Sequence, residues 1–217
     1  MKAMLRKECK LAALPLTYFF LAFGFMALVP GYPILLSAFF VCLGLFQTFQ
    51  TAREANDLLY TVLLPIRKAD AVKSRYLFCA MIELAAFALA AICTLVRMTA
   101  LKDAAAYRSN ALMNANLVYL GFLLLIYGCF NAVFVRGFFK SGGGLLKPFL
   151  LFGLLAFLIV GVGEALHFIP ALSAANAFGF DEIGLQAAFL AAGVCLFALL
   201  TALAEKSAEQ AFEKVDL

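Results

Sequence analysis

Three ionisable side chains stand in or near long apolar runs and are the first candidates for chemistry: Glu83, Glu164 and His167. A charge in a hydrocarbon layer is costly, so such a group normally faces protein, water or a substrate path. Glu164 and His167 are three residues apart and share one face of a helix. That spacing suits a local hydrogen-bonded pair better than a metal centre, because His167 is the single histidine and no cysteine is near it in sequence. Glu83 suits pairing with a basic group across a helix interface, or the wall of a polar path. The six cysteines, Cys9, Cys42, Cys79, Cys93, Cys129 and Cys195, form no Cys-x-x-Cys, and five sit in apolar runs. That is the pattern of small buried hydrophobes. Neither Gly-x-Ser-x-Gly nor His-Glu-x-x-His occurs, and the glycines at Gly142–Gly144 lack the phosphate-loop pattern. The sequence therefore assigns no catalytic residue, no cofactor and no metal ligand. Glu83, Glu164 and His167 remain as candidates for an intramembrane polar path.

The elements that must position these groups follow from composition. Of 217 residues, 65% are hydrophobic, 24 are Phe and 14% are charged. A soluble domain carries about 25% charged and about 50% apolar residues. The excess cannot be hidden in a core of this size, and lipid is the solvent that removes the problem. The net charge of +4 is small. Its basic residues flank apolar runs, which points to lipid head groups and topology and not to nucleic acid.

The runs predict one all-α membrane domain over residues 1–217 with six transmembrane helices, at about 11–29, 34–50, 72–96, 112–135, 148–169 and 184–203. Pro15 falls in the first turns of the first span, where a missing donor costs little. Pro30-Gly31-Tyr32-Pro33 is a compact turn that makes the first two spans a hairpin. Asn114 and Asn116 stand at the start of the fourth span. Residues 170–183 read as a short re-entrant segment. Residues 97–110 and 204–217 read as surface helix or loop. Six spans put both termini on one side. All but three of the 17 Lys and Arg fall there, the exceptions being Arg97, Lys102 and Arg108. The positive-inside rule makes that side cytoplasmic.

The longest polar interruption is the loop 51–71. A helix over Glu54–Leu64 is predicted, with Leu58, Leu59, Val62 and Leu63 on one side and Glu54, Asp57 and Thr61 on the other. Such a segment fits the interface plane or a groove on a partner protein. Pro65 ends it, and Asp70 stands where it could cap the next helix.

The loop also carries a family resemblance. Asn56-Asp57-Leu58-Leu59-Tyr60, Leu63-Leu64-Pro65-Ile66-Arg67-Lys68-Ala69-Asp70 and Val72-Lys73-Ser74-Arg75-Tyr76-Leu77 together resemble the type-two ABC exporter permeases. The group they look like is the small six-span permeases of bacterial peptide, bacteriocin-immunity and phenol-soluble-modulin exporters. The resemblance implies a multi-pass permease of the bacterial cytoplasmic membrane with no ATPase of its own. It implies a separate cytoplasmic ATP-binding subunit and a second permease, identical or related, that completes the path. The helix before Pro65 would be the coupling helix. Its docking residues would be Glu54, Asp57, Leu58, Leu59, Val62, Leu63, Pro65, Arg67 and Lys68. The substrate stays open among an amphipathic peptide, a lipid-like molecule and an antibiotic. Two other readings stand beside it. A secondary transporter or small channel wants charges at the midplane of repeated halves. An integral-membrane enzyme wants acids or His from several spans converging on one pocket.

Overall fold

In the computed structural model, residues 2–108, 112–166 and 168–215 are described, and every regular element among them is helical. The chain opens with α1 (Lys2–Lys7), which widens into a π-helical turn at Glu8–Ala12. After a break comes α2 (Pro15–Phe19), which tightens into a 3₁₀ segment, Phe20–Leu28. Then follow α3 (Leu36–Glu54), the short α4 (Asp57–Leu63) and the long α5 (Lys68–Thr99). A one-turn α6 (Ala105–Arg108) precedes α7 (Leu117–Cys129). α7 continues through a π-helical stretch, Phe130–Val135, into α8 (Arg136–Lys140). α9 (Leu146–Ala165), a 3₁₀ turn (Pro170–Asn176) and α10 (Ile183–Glu213) complete the chain.

Among the described residues, four helical stretches are long and apolar enough to cross a membrane: Lys68–Thr99, Leu117–Lys140, Leu146–Ala165 and Ile183–Glu213. A bent pair, Met4–Lys10 with Pro15–Leu28, makes a fifth if its two halves form one broken span. The expected second span, 34–50, corresponds to α3, which is not among these stretches; it has 19 residues and turns polar from Gln47 onward.

At the start of the first expected span the chain bends by 81°. Pro15 causes this. It lacks an N–H and clashes with the preceding residue, and Leu14 is accordingly extended at φ −80°, ψ 147°. The fourth span starts later than expected, at Leu117, because Asn116 caps it by accepting a bond of 3.0 Å from the Tyr119 N–H. The tail expected from residue 204 is no separate element, since α10 runs on to Glu213. At about 1.5 Å per residue, α5 and α10 are each over 40 Å long, more than the hydrocarbon layer of about 30 Å. Their surplus turns stand beyond the layer.

α7 is the central helix. Of its spanning window 78% is buried, against 39% for α5, 33% for α9 and 11% for α10. Its contact with α10 is close enough to require glycine: a Cβ on Gly193 would lie 2.6 Å from the Gly121 Cα. Small residues are what let membrane helices approach in this way. On the other side of α7 an aromatic cluster fills the space to α3 and α9. Phe46 stacks on Phe149 at 3.9 Å, and Phe130 meets Phe152 edge-on at 5.1 Å. Arrangements of this kind add about 0.5–1.5 kcal/mol per pair beyond area burial.

Candidate functional site

Most of the ionic chemistry gathers at one end of the bundle, where α1, α4, the start of α5 and the end of α10 meet. The loop expected to form one helix over Glu54–Leu64 is divided. Glu54 ends α3 and accepts from Gln50 Nε2 at 3.3 Å. Asn56 then takes the left-handed conformation (φ 52°), and α4 begins at Asp57. Asparagine tolerates that region better than most side chains, so the break falls there.

The polar side of α4 turns inward. Lys7 Nζ lies 2.6 Å from Asp57 Oδ1 and donates to Thr61 Oγ1 at 2.7 Å. Arg75 Nη2 reaches Asp57 Oδ2 at 2.9 Å, while its Nε lies 3.0 Å from Glu8 Oε2. The Arg75 guanidinium also sits 5.1 Å from the centre of the Phe49 ring. Arg75 and Glu8 are almost fully buried. One arginine thus ties the N-terminal arm, α3 and α4 to α5, on which it stands.

The apolar side of α4 is divided. Leu58 and Val62 are half-buried against the core. Leu59 and Leu64 are exposed, and Tyr60 and Leu63 project furthest, at 65% and 73% exposure. Pro65 is exposed beside them. Arg67 is the N-cap of α5 and grips Asp70 with two bonds of 3.0 and 3.1 Å. That hydrogen bond holds the Asp70 carboxyl below its usual range. The expected cap by Asp70 is therefore not formed. Its carboxylate serves Arg67 from the first helical turn, where a negative charge suits the helix dipole. Lys68 points away from the rim, donating to the Val215 carbonyl at 2.7 Å and lying 5.7 Å from the centre of the Phe212 ring.

The polar-path candidates are separated. Glu83 is fully buried in α5 and accepts from Asn131 Nδ2 at 2.8 Å. Asn131 also donates to Thr201 Oγ1 at 3.1 Å, and Tyr76 donates to its carbonyl at 3.2 Å. Asn131 belongs to the π-helical stretch of α7. Such stretches recur at functional sites. Glu164 instead accepts from the Met113 N–H at 2.8 Å, ahead of α7. The two carboxylates thus address opposite ends of the helical run from Leu117 to Asn131, a length of about 20 Å. His167 lies outside the described residues.

At the opposite end, amides replace charges. Asn114 donates two bonds to Asn176, from its backbone N–H to Oδ1 and from Nδ2 to the carbonyl; Asn116 donates to the Ala175 and Ala177 carbonyls, and Gln186 accepts from the Leu117 N–H and donates to the Gly179 and Asp181 carbonyls. Arg97, expected on a surface segment, is buried there. It donates to the Ala27 carbonyl at 2.9 Å and stacks 4.5 Å from the centre of the Tyr107 ring. Hydropathy could not reveal this, because the acceptor lies 70 residues away.

Lipid-sized apolar helices packed without strands, ending in a charged collar, define a multi-pass membrane protein. The family model for the ABC-2 family transporter protein matches residues 3–204, and the chain belongs to that family. It is the permease component of an ABC transporter, a membrane part that is not itself catalytic, and membership implies association with an ABC ATPase subunit. No curated protein and no solved structure matches the chain.

Proposed function

We propose that this permease works in export, in a bacterial cytoplasmic membrane with both termini inside, and that α4 with the Pro65 turn is its coupling element. A separate cytoplasmic ATP-binding subunit would dock on Leu59, Tyr60, Leu63, Leu64 and Pro65, with Glu54 and Arg67 at the rim. Leu58, Val62 and Lys68 hold the element from behind. Asp57 acts from within: it binds Arg75, so a push on α4 passes directly into α5. A helix carrying apolar side chains outward at a charged end is the observation that supports this reading. A second permease, a copy or a relative, would complete the path for an amphipathic peptide, lipid-like molecule or antibiotic.

Glu83 enters this reading as a gate group. Its Oε1 has no hydrogen-bond partner among the described residues, and it would meet a path when α5 and α7 part. Glu164 would lie toward the other mouth.

The test is co-purification with its ATP-binding partner subunit, followed by a crosslinking scan. Probes at Leu59, Tyr60, Leu63 and Leu64 are expected to trap the ATPase, and probes at Leu58 and Val62 are not. An intact complex that yields no crosslink from the outer four positions rejects the coupling assignment.

A further inference from the structure

A second feature of the charged end belongs neither to α4 nor to the ion-pair network. A cavity of about 630 Å³ lies between the end of α3, α8 with the glycine loop, and the first turns of α9. That volume is in the range of small-molecule sites. Arg53, Lys140 and Lys147 line it, with no carboxylate among the lining residues. The neighbouring cations are engaged: Lys7 by Asp57, Arg67 by Asp70, Lys73 by Glu209 and Arg75 by Glu8. By contrast, the side chains of Arg53, Lys140 and Lys147 make no ion pair or hydrogen bond among the described residues. Three unneutralised cations around one concavity raise the local concentration of anions.

Apart from Ser141 the rest of the wall is apolar or glycine, and it has a direction. Lys147, Leu151, Leu154 and Leu158 share one face of α9. The three leucines are 50%, 72% and 65% exposed, a stripe that leads from the cavity along the surface a bilayer would cover. The back of the cavity is fixed by close packing: a Cβ on Gly137 would lie 2.7 Å from Pro148. The loop between them is fixed by Ser141 Oγ, which donates to the Gly137 carbonyl at 2.8 Å and accepts the Gly144 N–H at 2.9 Å.

We infer that this cavity binds an anionic phospholipid, with the phosphoryl head group on Arg53, Lys140 and Lys147 and an acyl chain along Leu151, Leu154 and Leu158. Cations between helices at the head-group level are the recurring recognition element for such lipids. A free phosphate would use the cations and leave the leucine stripe without a role. The inference is independent of coupling by α4, since it needs neither the ATPase nor a particular sidedness.

Native mass spectrometry of the full chain, released from nanodiscs of equimolar phosphatidylglycerol and phosphatidylcholine with matched acyl chains, tests it. The retained lipid is expected to favour phosphatidylglycerol by about tenfold, a moderate share of what three surface cations can supply. Substituting Arg53→Gln, Lys140→Gln and Lys147→Gln together should return the ratio to that of the bilayer. Substituting the exposed Lys206→Gln and Lys214→Gln should leave the preference in place. Should the triple variant fail to fold, Lys147→Gln alone is expected to reduce the preference by about threefold, and the wild-type ratio remains decisive. Soluble glycerol phosphate should not displace the lipid. A wild-type protein without preference overturns the inference. So does a triple variant that keeps the preference, including one that instead loses its ATPase. Displacement by glycerol phosphate would reduce the site to a phosphate site and overturn the lipid assignment.

Discussion

At one end of the bundle, Lys7, Glu8, Asp57 and Arg75 join α1, α4 and α5 through ion pairs. At the other, Asn114, Asn116, Asn176 and Gln186 join the start of α7 to the 3₁₀ turn and to α10 through amide hydrogen bonds. Both sets bring distant segments together. Neutral amides paired with backbone close the other end without ion pairs among Asn114, Asn116, Asn176 and Gln186. Charges pull the polar side of α4 inward and leave Tyr60 and Leu63 facing out, which makes a surface that another protein can use. Helix α4 is thus inverted relative to an ordinary surface helix, whose apolar side packs and whose polar side meets water.

This contrast can be tested from its strongest joint to its weakest. Arg75→Ala should be the most damaging single change. It strands the buried Glu8 carboxylate, which should cost about 3–5 kcal/mol, read as a drop in melting temperature in detergent. Adding Glu8→Gln should recover part of that loss, because the stranded charge is then gone. If the double variant is no more stable than the single one, the ion pair is not what holds this end.

Leu63→Asp should leave the melting temperature nearly unchanged, since the side chain is exposed, yet weaken association with the ATPase by about 2 kcal/mol or more. A binding isotherm with the purified ATPase measures it. Equal binding by wild type and variant would show that the outward face of α4 is idle.

Asn116→Ala, at the amide end, should cost about 1–2 kcal/mol through loss of the helix cap. It should not change ATPase association. A loss of association would mean that the two ends are coupled and the contrast is false. Arg67→Ala should be the mildest. Its pair with Asp70 is 81% exposed on the arginine side, so water screens it and the melting temperature should barely move. A larger effect on stability would show that Arg67 does more than brace the turn.

What the residues foretell and what they conceal divides along the same line. Pro65 and the apolar leucines mark a short helix and its end, because proline's missing donor and its restriction of the preceding residue act within one turn of the chain. The break at Asn56 was less legible. Asparagine permits a left-handed turn without requiring one, and Glu54–Leu64 carries a pattern that one helix would also satisfy. Asn131 is visible as a polar residue in an apolar span. Its partner Glu83 lies 48 residues away, and nothing local links the two.

By itself the sequence determined that this chain lives in a bilayer, roughly where its helices run, and which of its ends collects positive charge. Those are properties of local composition, and a hydrocarbon layer of about 30 Å reads composition directly. The tertiary structure alone decided which way α4 faces, that Arg97 is buried, that Glu83 meets Asn131 while Glu164 stays apart, and that three basic residues enclose an apolar-walled cavity. Each depends on side chains brought together from distant parts of the chain, and that pairing follows from how the helices pack and not from any residue's own preference.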